Sequence, residues 1–391
     1  MYGGPRAVAA AGPGRDFPAG PPLRHSARVR VLHCADVHLD TAFPGLGPEW
    51  PLRRRQAIRS ALGRIARLAA ELRVDALTIG GDLYEDGRAG ADTAAFLGDV
   101  LGGVPCPVLI APGNHDPYLP TSLYARHPWP GNVHIFRSRE FEAVAVGDMR
   151  VCGVAHLQPK GTPNPLAGYR VPDGPPAVAL MHGSEVGALQ FEGAAKVDHA
   201  PFQEAEVAAA GFAFALCGHY HMPRATPWLC YPGNPEPLTF GETGERGAML
   251  VDFTTTPPTV TRHRVATVSV ADAEVDISAC SHREAVIEAI RAAVPARADR
   301  CVRVRVVGDL QPTVAPAPQA VLEAVRSAER CCVIEWDLRL ADDLDALAAA
   351  PDIRGEFVRI LLARPDQGSP LVREALQAGL RALADEDPGL L

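Results

Sequence analysis

Apolar residues along this chain gather into short runs that stop at a glycine, an aspartate or a histidine, and helical periods fill the stretches between them. Residues 29–34, Val-Arg-Val-Leu-His-Cys, predict a buried strand ending in the loop Ala35-Asp36-Val37-His38. Ile58, Leu62, Ile65, Ala69 and Leu72 recur at steps of three and four, so they share one apolar helix face; Arg53, Arg54, Arg55, Arg59, Arg64 and Arg67 occupy its other positions. Ala76-Leu77-Thr78-Ile79 predicts a second strand, which runs into Gly80-Gly81-Asp82. A helix over 93–101 leads to the strand Val108-Leu109-Ile110 and the loop Pro112-Gly113-Asn114-His115-Asp116. This alternation defines an α/β layered fold with polar residues displayed at strand ends.

After residues 133–136 the predicted strands come closer together, at 141–146, 150–154, 177–181, 212–217 and 248–253. A second sheet packed on the first, making a two-sheet sandwich flanked by helices, accounts for that rhythm. Composition breaks at Thr255-Thr256-Pro257-Pro258, where a domain boundary is placed. Beyond it, Ser281-x-x-Glu284 is a capping-box signature, and Val302, Val304 and Val306 alternate with Arg303 and Arg305 as in a half-buried strand. A helix over 319–330 and a strand over 333–338 complete a small C-terminal α/β capping module. Phe357, Val358, Leu361 and Leu362 form one apolar stripe; Val372, Leu376, Leu380 and Leu383 form another, behind the start signal Ser369-Pro370. Residues 1–27, with five prolines and five glycines, read as a disordered leader or an over-extended translation start. The expected division is therefore 1–27 leader, 28–257 sandwich domain, 258–340 capping domain and 341–391 helical segment.

Composition narrows the function. With 47% hydrophobic and 21% charged residues in 391, the chain is that of a globular protein. No apolar run approaches the ~20 residues needed to span a bilayer, so no membrane association is expected. Nine cysteines without any C-x-x-C pair argue for reduced thiols and a cytoplasmic setting. A net charge of −8 excludes nucleic-acid binding by bulk charge alone; such binding would have to be local and metal-assisted.

Five polar signatures follow apolar strands in order: Asp36-x-His38, Gly81-Asp82, Gly113-Asn114-His115-Asp116, His182-Gly183 and Gly218-His219-x-His221. Two residues separated by one along a strand end point the same way, so Asp36 with His38, and the region of His219 with His221, can share a cation. Mixed imidazole and carboxylate ligands suit manganese, iron or zinc rather than calcium. Two cations about 3.5–4 Å apart need a bridging anion, which a single carboxylate such as Asp82 can supply, and the neutral amide of Asn114 leaves the site cationic enough for a phosphate.

These motifs resemble the calcineurin-like metallophosphoesterase superfamily over residues 29–253. Within it they are similar to the SbcD-like DNA-repair exonuclease subunits. That closer resemblance rests on residues 31–40 and 112–116, on Asn132-Val133-His134-Ile135-Phe136, on Tyr231-Pro232-Gly233 and on the segment 242–247. The resemblance implies one divalent ion, manganese, held by Asp36, His38, Asp82 and His221, and a second held by Asp82, Asn114, His182 and His219. It makes His115 the catalytic histidine, with Asp116 orienting it. The implied reaction is in-line attack of an activated water on a phosphodiester of DNA, with His115 stabilising charge on the phosphorane and leaving oxygen. It further implies an SbcC-like coiled-coil ATPase as partner and a family that includes homodimers; the chain itself has no G-x-x-x-x-G-K-[ST] loop and is not expected to bind ATP.

Other readings stay open. A small-molecule phosphodiesterase or phosphatase of the same fold would use the same ligands, and a non-catalytic scaffold would keep the fold alone. Many SbcD-like nucleases have a histidine three residues after the bridging aspartate, where this chain has Glu85: an extra ligand, a water-orienting base or an exposed loop side chain. The arginines of the helix from Leu52, and Arg303 with Arg305, read as solvated faces or as phosphate contacts.

Overall fold

A computed structural model describes residues 6–7, 28–188, 199–310, 314, 317–340 and 344–383. The chain divides into two compact units, Met1–Pro44 with Pro51–Ser269, and Gly45–Trp50 with Val270–Leu391. The first unit continues past the composition break at Pro257-Pro258, because Thr259–Arg264 pairs antiparallel with Gly247–Asp252 along its whole length.

In the first unit β1 (Arg30–Cys34), β2 (Ala76–Ile79), β3 (Val108–Ile110) and β4 (Val133–Ile135) run parallel. The connections are α1 (Trp50–Glu71), α2 (Ala91–Gly102) and α3 (Leu123–Arg126). The second sheet holds β5 (Glu142–Val146), β6 (Met149–Gly153), β7 (Ala177–His182), β8 (Phe214–Gly218), β9 (Arg224–Ala225) and β10 (Leu229–Tyr231), with α4 (Glu204–Ala210) before β8. β11 (Gly247–Asp252) and β12 (Thr259–Arg264) return to the first sheet, β11 lying antiparallel to β1. Of residues 1–27, only Arg6 and Ala7 are described, paired with Arg262 and Thr261; the rest of the expected leader lies outside the described residues.

The sandwich core follows from strand alternation. Val31, Leu109 and Val251 of one sheet meet Val151, Val178, Leu180 and Phe214 of the other in a single buried cluster. Ala179 and Met181 point the opposite way, to Val207, Phe212 and Tyr231. A strand buried on both faces reads as an unbroken apolar run, as β7 does. α1 buries Ile58, Leu62, Ile65 and Ala69, as their spacing predicts, and ends before Leu72 because Arg73 takes a left-handed conformation (φ 52°). His33 sits between the sheets, with Nδ1 2.9 Å from Thr78 Oγ1 and Nε2 3.0 Å from the Cys217 carbonyl. Burial outweighs those bonds and brings its pKa down to about 4.

The second unit is built on a three-stranded sheet of β13 (Ser269–Asp276), β14 (Arg300–Leu310) and β15 (Cys331–Leu340), the last two parallel. α5 (Arg283–Ala293) and α6 (Pro318–Val325) cover one face through Val286, Ile290, Val321 and Val325, packed on Val302, Val304 and Val306. Two local expectations are corrected. The N-cap of α5 is His282, not Ser281: its Nδ1 accepts from the Ala285 amide at 3.1 Å. α6 stops at Val325, where Arg326 turns extended so that its Nε donates to the Cys332 carbonyl at 3.0 Å. The two C-terminal apolar stripes pack on each other: α7 (Leu344–Ala349), α8 (Ile353–Leu362) and α9 (Pro370–Leu383) share a cluster of Val358, Val372, Leu376 and Leu380. No helix among the described residues is long and apolar enough to cross a membrane.

Candidate metal centre

The strand-end loops of β1, β2, β3, β7 and β8 bring Asp36, His38, Asp82, Asn114, His115, His182, His219 and His221 to one edge of the sandwich. Several depart from ordinary backbone geometry: Asp36 (φ 53°), His38 (φ 52°), Asp82 (φ 51°) and His219 (φ 112°) all take left-handed conformations. Non-glycine residues are held there only when their surroundings over-determine them. Two glycines make the approach possible. A Cβ at Gly113 would overlap Asp82 Oδ1, and one at Gly218 would overlap the Gly80 carbonyl to which His182 Nδ1 is bonded.

Asp82 lies between two imidazoles, its Oδ2 3.6 Å from His38 Nε2 and 3.3 Å from His182 Nε2. On one side, ligand atoms of Asp36, His38 and His221 fall within 4.8 Å of one another; on the other, those of Asp36, Asp82 and His182 do. Asn114 Oδ1 is 3.0 Å from His182 Nε2. The His219 ring centroid stands 5.1 Å from that of His182, and the His219 amide donates to both Asp36 oxygens at 3.0 and 3.1 Å. Asp36, which the resemblance assigns to one ion, thus adjoins both clusters.

The outward nitrogens of three of these histidines are held. His38 Nδ1 is 2.7 Å from Glu85 Oε1, His221 Nδ1 2.7 Å from Glu242 Oε1, and His182 Nδ1 2.8 Å from the Gly80 carbonyl. A ring whose Nδ1–H is donated presents its Nε2 lone pair inward. His38 Nε2 and His221 Nε2 consequently face each other at 3.2 Å, an arrangement of two lone pairs that a cation between them satisfies. The donor set therefore fits divalent metal ions.

Burial works against charge on Asp82, yet the neighbouring His182, His38 and His115 hold its carboxyl well below the usual range. Glu85 is likewise opposed by burial, and hydrogen bonds from His115 and His38 bring it to about 2. The hydrogen bond to Glu85, 2.9 Å from His115 Nδ1, lifts His115 to about 9 against the effect of burial. His115 is 45% exposed, so the ring is tethered on one side and open to a substrate on the other.

One expectation changes. Asp116 does not orient His115: its oxygens accept from the amides of Asp82 (3.0 Å), Gly113 (2.6 Å) and Leu83 (2.6 Å) and from the Tyr124 hydroxyl (2.6 Å). It is a fully buried brace for the loops that carry Asp82 and Asn114. Burial and then the Asp82 charge raise its pKa to about 7. Glu85 is the carboxylate that orients His115, and with both oxygens engaged it is no exposed loop side chain. Glu242 escaped assignment from sequence; its signal was its place in the segment 242–247.

Residues 29–223 match the calcineurin-like phosphoesterase family. Among curated proteins, the chain is 25% identical over 343 residues to an uncharacterized metallophosphoesterase, YhaO, of Bacillus subtilis (strain 168), covering 81% of this chain and 82% of that one. It is 28% identical over 257 residues to the DNA double-strand break repair protein Mre11 of Methanopyrus kandleri, covering 58% of this chain and 54% of the relative, so it spans about half of that protein. The crystal structure of TT1561 of Thermus thermophilus overlaps 61% of this chain and 99% of that one at 18% identity and a TM-score of 0.38.

Proposed function

We propose that this protein is a DNA nuclease that hydrolyses phosphodiester bonds with two divalent cations, manganese in the first instance, as the nuclease subunit of a cytoplasmic repair complex with a coiled-coil ATPase. The observation that carries the phosphoesterase part is the mutual facing of His38 Nε2 and His221 Nε2, with Asp82 placed toward His182. The nuclease part is supported by the likeness to Mre11. When bound, the cations supply Lewis acidity and lower the pKa of a coordinated water. Asp36, His38, Asp82 and His221 would hold one, and Asp82, Asn114, His182 and His219 the other. His115, tethered by Glu85, donates its proton or its charge to the leaving oxygen. Exposed Ile353, Ile360 and Leu371 on α8 and α9 would offer the ATPase its contact.

Side-by-side turnover of duplex DNA and bis-p-nitrophenyl phosphate with manganese, then with chelator, tests this reading. Chelator-sensitive cleavage of both, lost in Asp82→Ala, is expected. Hydrolysis of the small ester without any cleavage of DNA assigns the protein to small-molecule phosphoesterases instead. Chelator-resistant turnover in Asp82→Ala removes the two-cation chemistry altogether.

A further inference from the structure

We propose that Glu242 is the positioning residue for the cation ligand His221, and that the segment 234–246, rather than β8, sets the geometry of the first cation site. The proposal rests on the two-cation reading above. His221 lies beyond the end of β8, in a loop, so strand pairing does not determine the direction of its ring.

The ring and the backbone of His221 are nevertheless gripped together. Glu242 Oε1 takes Nδ1 at 2.7 Å, while the guanidinium of Arg246 donates through Nη1 to the His221 carbonyl. Glu242 is itself immobilised: its Oε2 accepts from the Leu238 amide and Asn234 Nδ2, both at 2.5 Å, and from the Thr239 amide at 3.3 Å. Arg246 is fully buried and donates to Asn234 Oδ1 at 2.8 Å, the Glu242 carbonyl at 3.2 Å and the Thr243 carbonyl at 3.3 Å. Asn234 thus serves both charged groups, its Nδ2 on Glu242 and its Oδ1 on Arg246. A buried carboxylate and a buried guanidinium are bridged by Asn234 and meet on one imidazole residue, each held by hydrogen bonds of its own.

The consequence is specific. A fixed acceptor at Nδ1 holds the proton there and keeps the Nε2 lone pair on the line toward His38. Groups that orient a metal-binding histidine in this way typically matter by about 10–100-fold in metal affinity. Glu242→Gln is the sharpest probe, because it preserves shape while placing an NH2 group either against the donors around Oε2 or against the His221 Nδ1–H.

Manganese binding to the metal-free protein, followed by calorimetry and by the electron paramagnetic resonance of the bound ion, needs no substrate. For E242Q the expected result is that one of two sites weakens about 10–100-fold while the other keeps its affinity. Nitrogen-15 NMR of the metal-free wild type, with the His221 signals assigned through His221→Asn, should show His221 protonated on Nδ1 alone; this needs no folded E242Q. Two wild-type affinities in E242Q, or a His221 protonated on Nε2, overturns the proposal and leaves the phosphoesterase reading intact. A wild type that binds no manganese overturns both.

Discussion

The edge of the sandwich and the sheet of the second unit both display charged residues on strands, and they treat them in opposite ways. On β14, Arg303 pairs with Asp272 at 2.6 Å and Glu335 at 3.9 Å, and Arg305 pairs with Glu274 at 3.1 Å and with Asp337. Each cation has a carboxylate on either neighbouring strand, so the face is neutralised by itself and in water. At the sandwich edge, Asp36, Asp82 and the imidazoles of His38, His182 and His221 turn their acceptor atoms toward each other. Like groups converge only where a partner of opposite charge completes them. A set of charges that is satisfied internally is a solvated surface, and a set that is not is a site. The phosphate-contact reading of Arg303 and Arg305 is accordingly the weaker one.

The largest test of this contrast is His115. If it stands outside the ligand set and faces the substrate, His115→Ala still binds two manganese ions by calorimetry while turnover falls about 10²–10⁴-fold. Lost metal binding with unchanged turnover per bound site would move it into the ligand set.

His33 sharpens the comparison from within the sandwich, as an imidazole whose two nitrogens are both satisfied. The unfolded chain protonates this group near 6.5 and the folded protein only near 4, so its stabilising contribution is complete above 6.5 and is lost as pH falls through that interval. Full loss amounts to roughly 3 kcal/mol. Urea unfolding at neutral pH and near pH 4 should show that extra loss in the wild type and not in His33→Gln; parallel profiles would mean that His33 titrates normally.

Glu85 comes next. It accepts from His38 and from His115, and an amide accepts at one end only, so Glu85→Gln should cost about 10–100-fold in manganese affinity or turnover. Wild-type values would return Glu85 to the same category as the paired charges of β14. The smallest effect belongs to Arg305→Ala. A guanidinium already paired with two carboxylates releases no counterions from DNA, so the slope of log affinity against log salt for duplex DNA should not move. A shallower slope would break the comparison.

Local pattern was enough to read most of this molecule from its residues in order. The strands 76–79 and 108–110, the apolar face of α1 and the candidate ligands at strand ends are all written in neighbours one to four positions apart, where periodicity and turn chemistry act. The paired roles were not legible. Asp116 looked like the partner of His115 because it is adjacent in sequence, yet its carboxylate turns back to the amides of Asp82 and Leu83, and the partner is Glu85 from the loop after β2. Glu242 reaches His221, and the Cys217 carbonyl reaches His33, only after the second sheet closes over the first. Strand ends declare which side chains have chemistry to offer, because direction along a strand is a local property. Which carboxylate holds which imidazole depends on the order of strands in two packed sheets, and only the tertiary structure decides that.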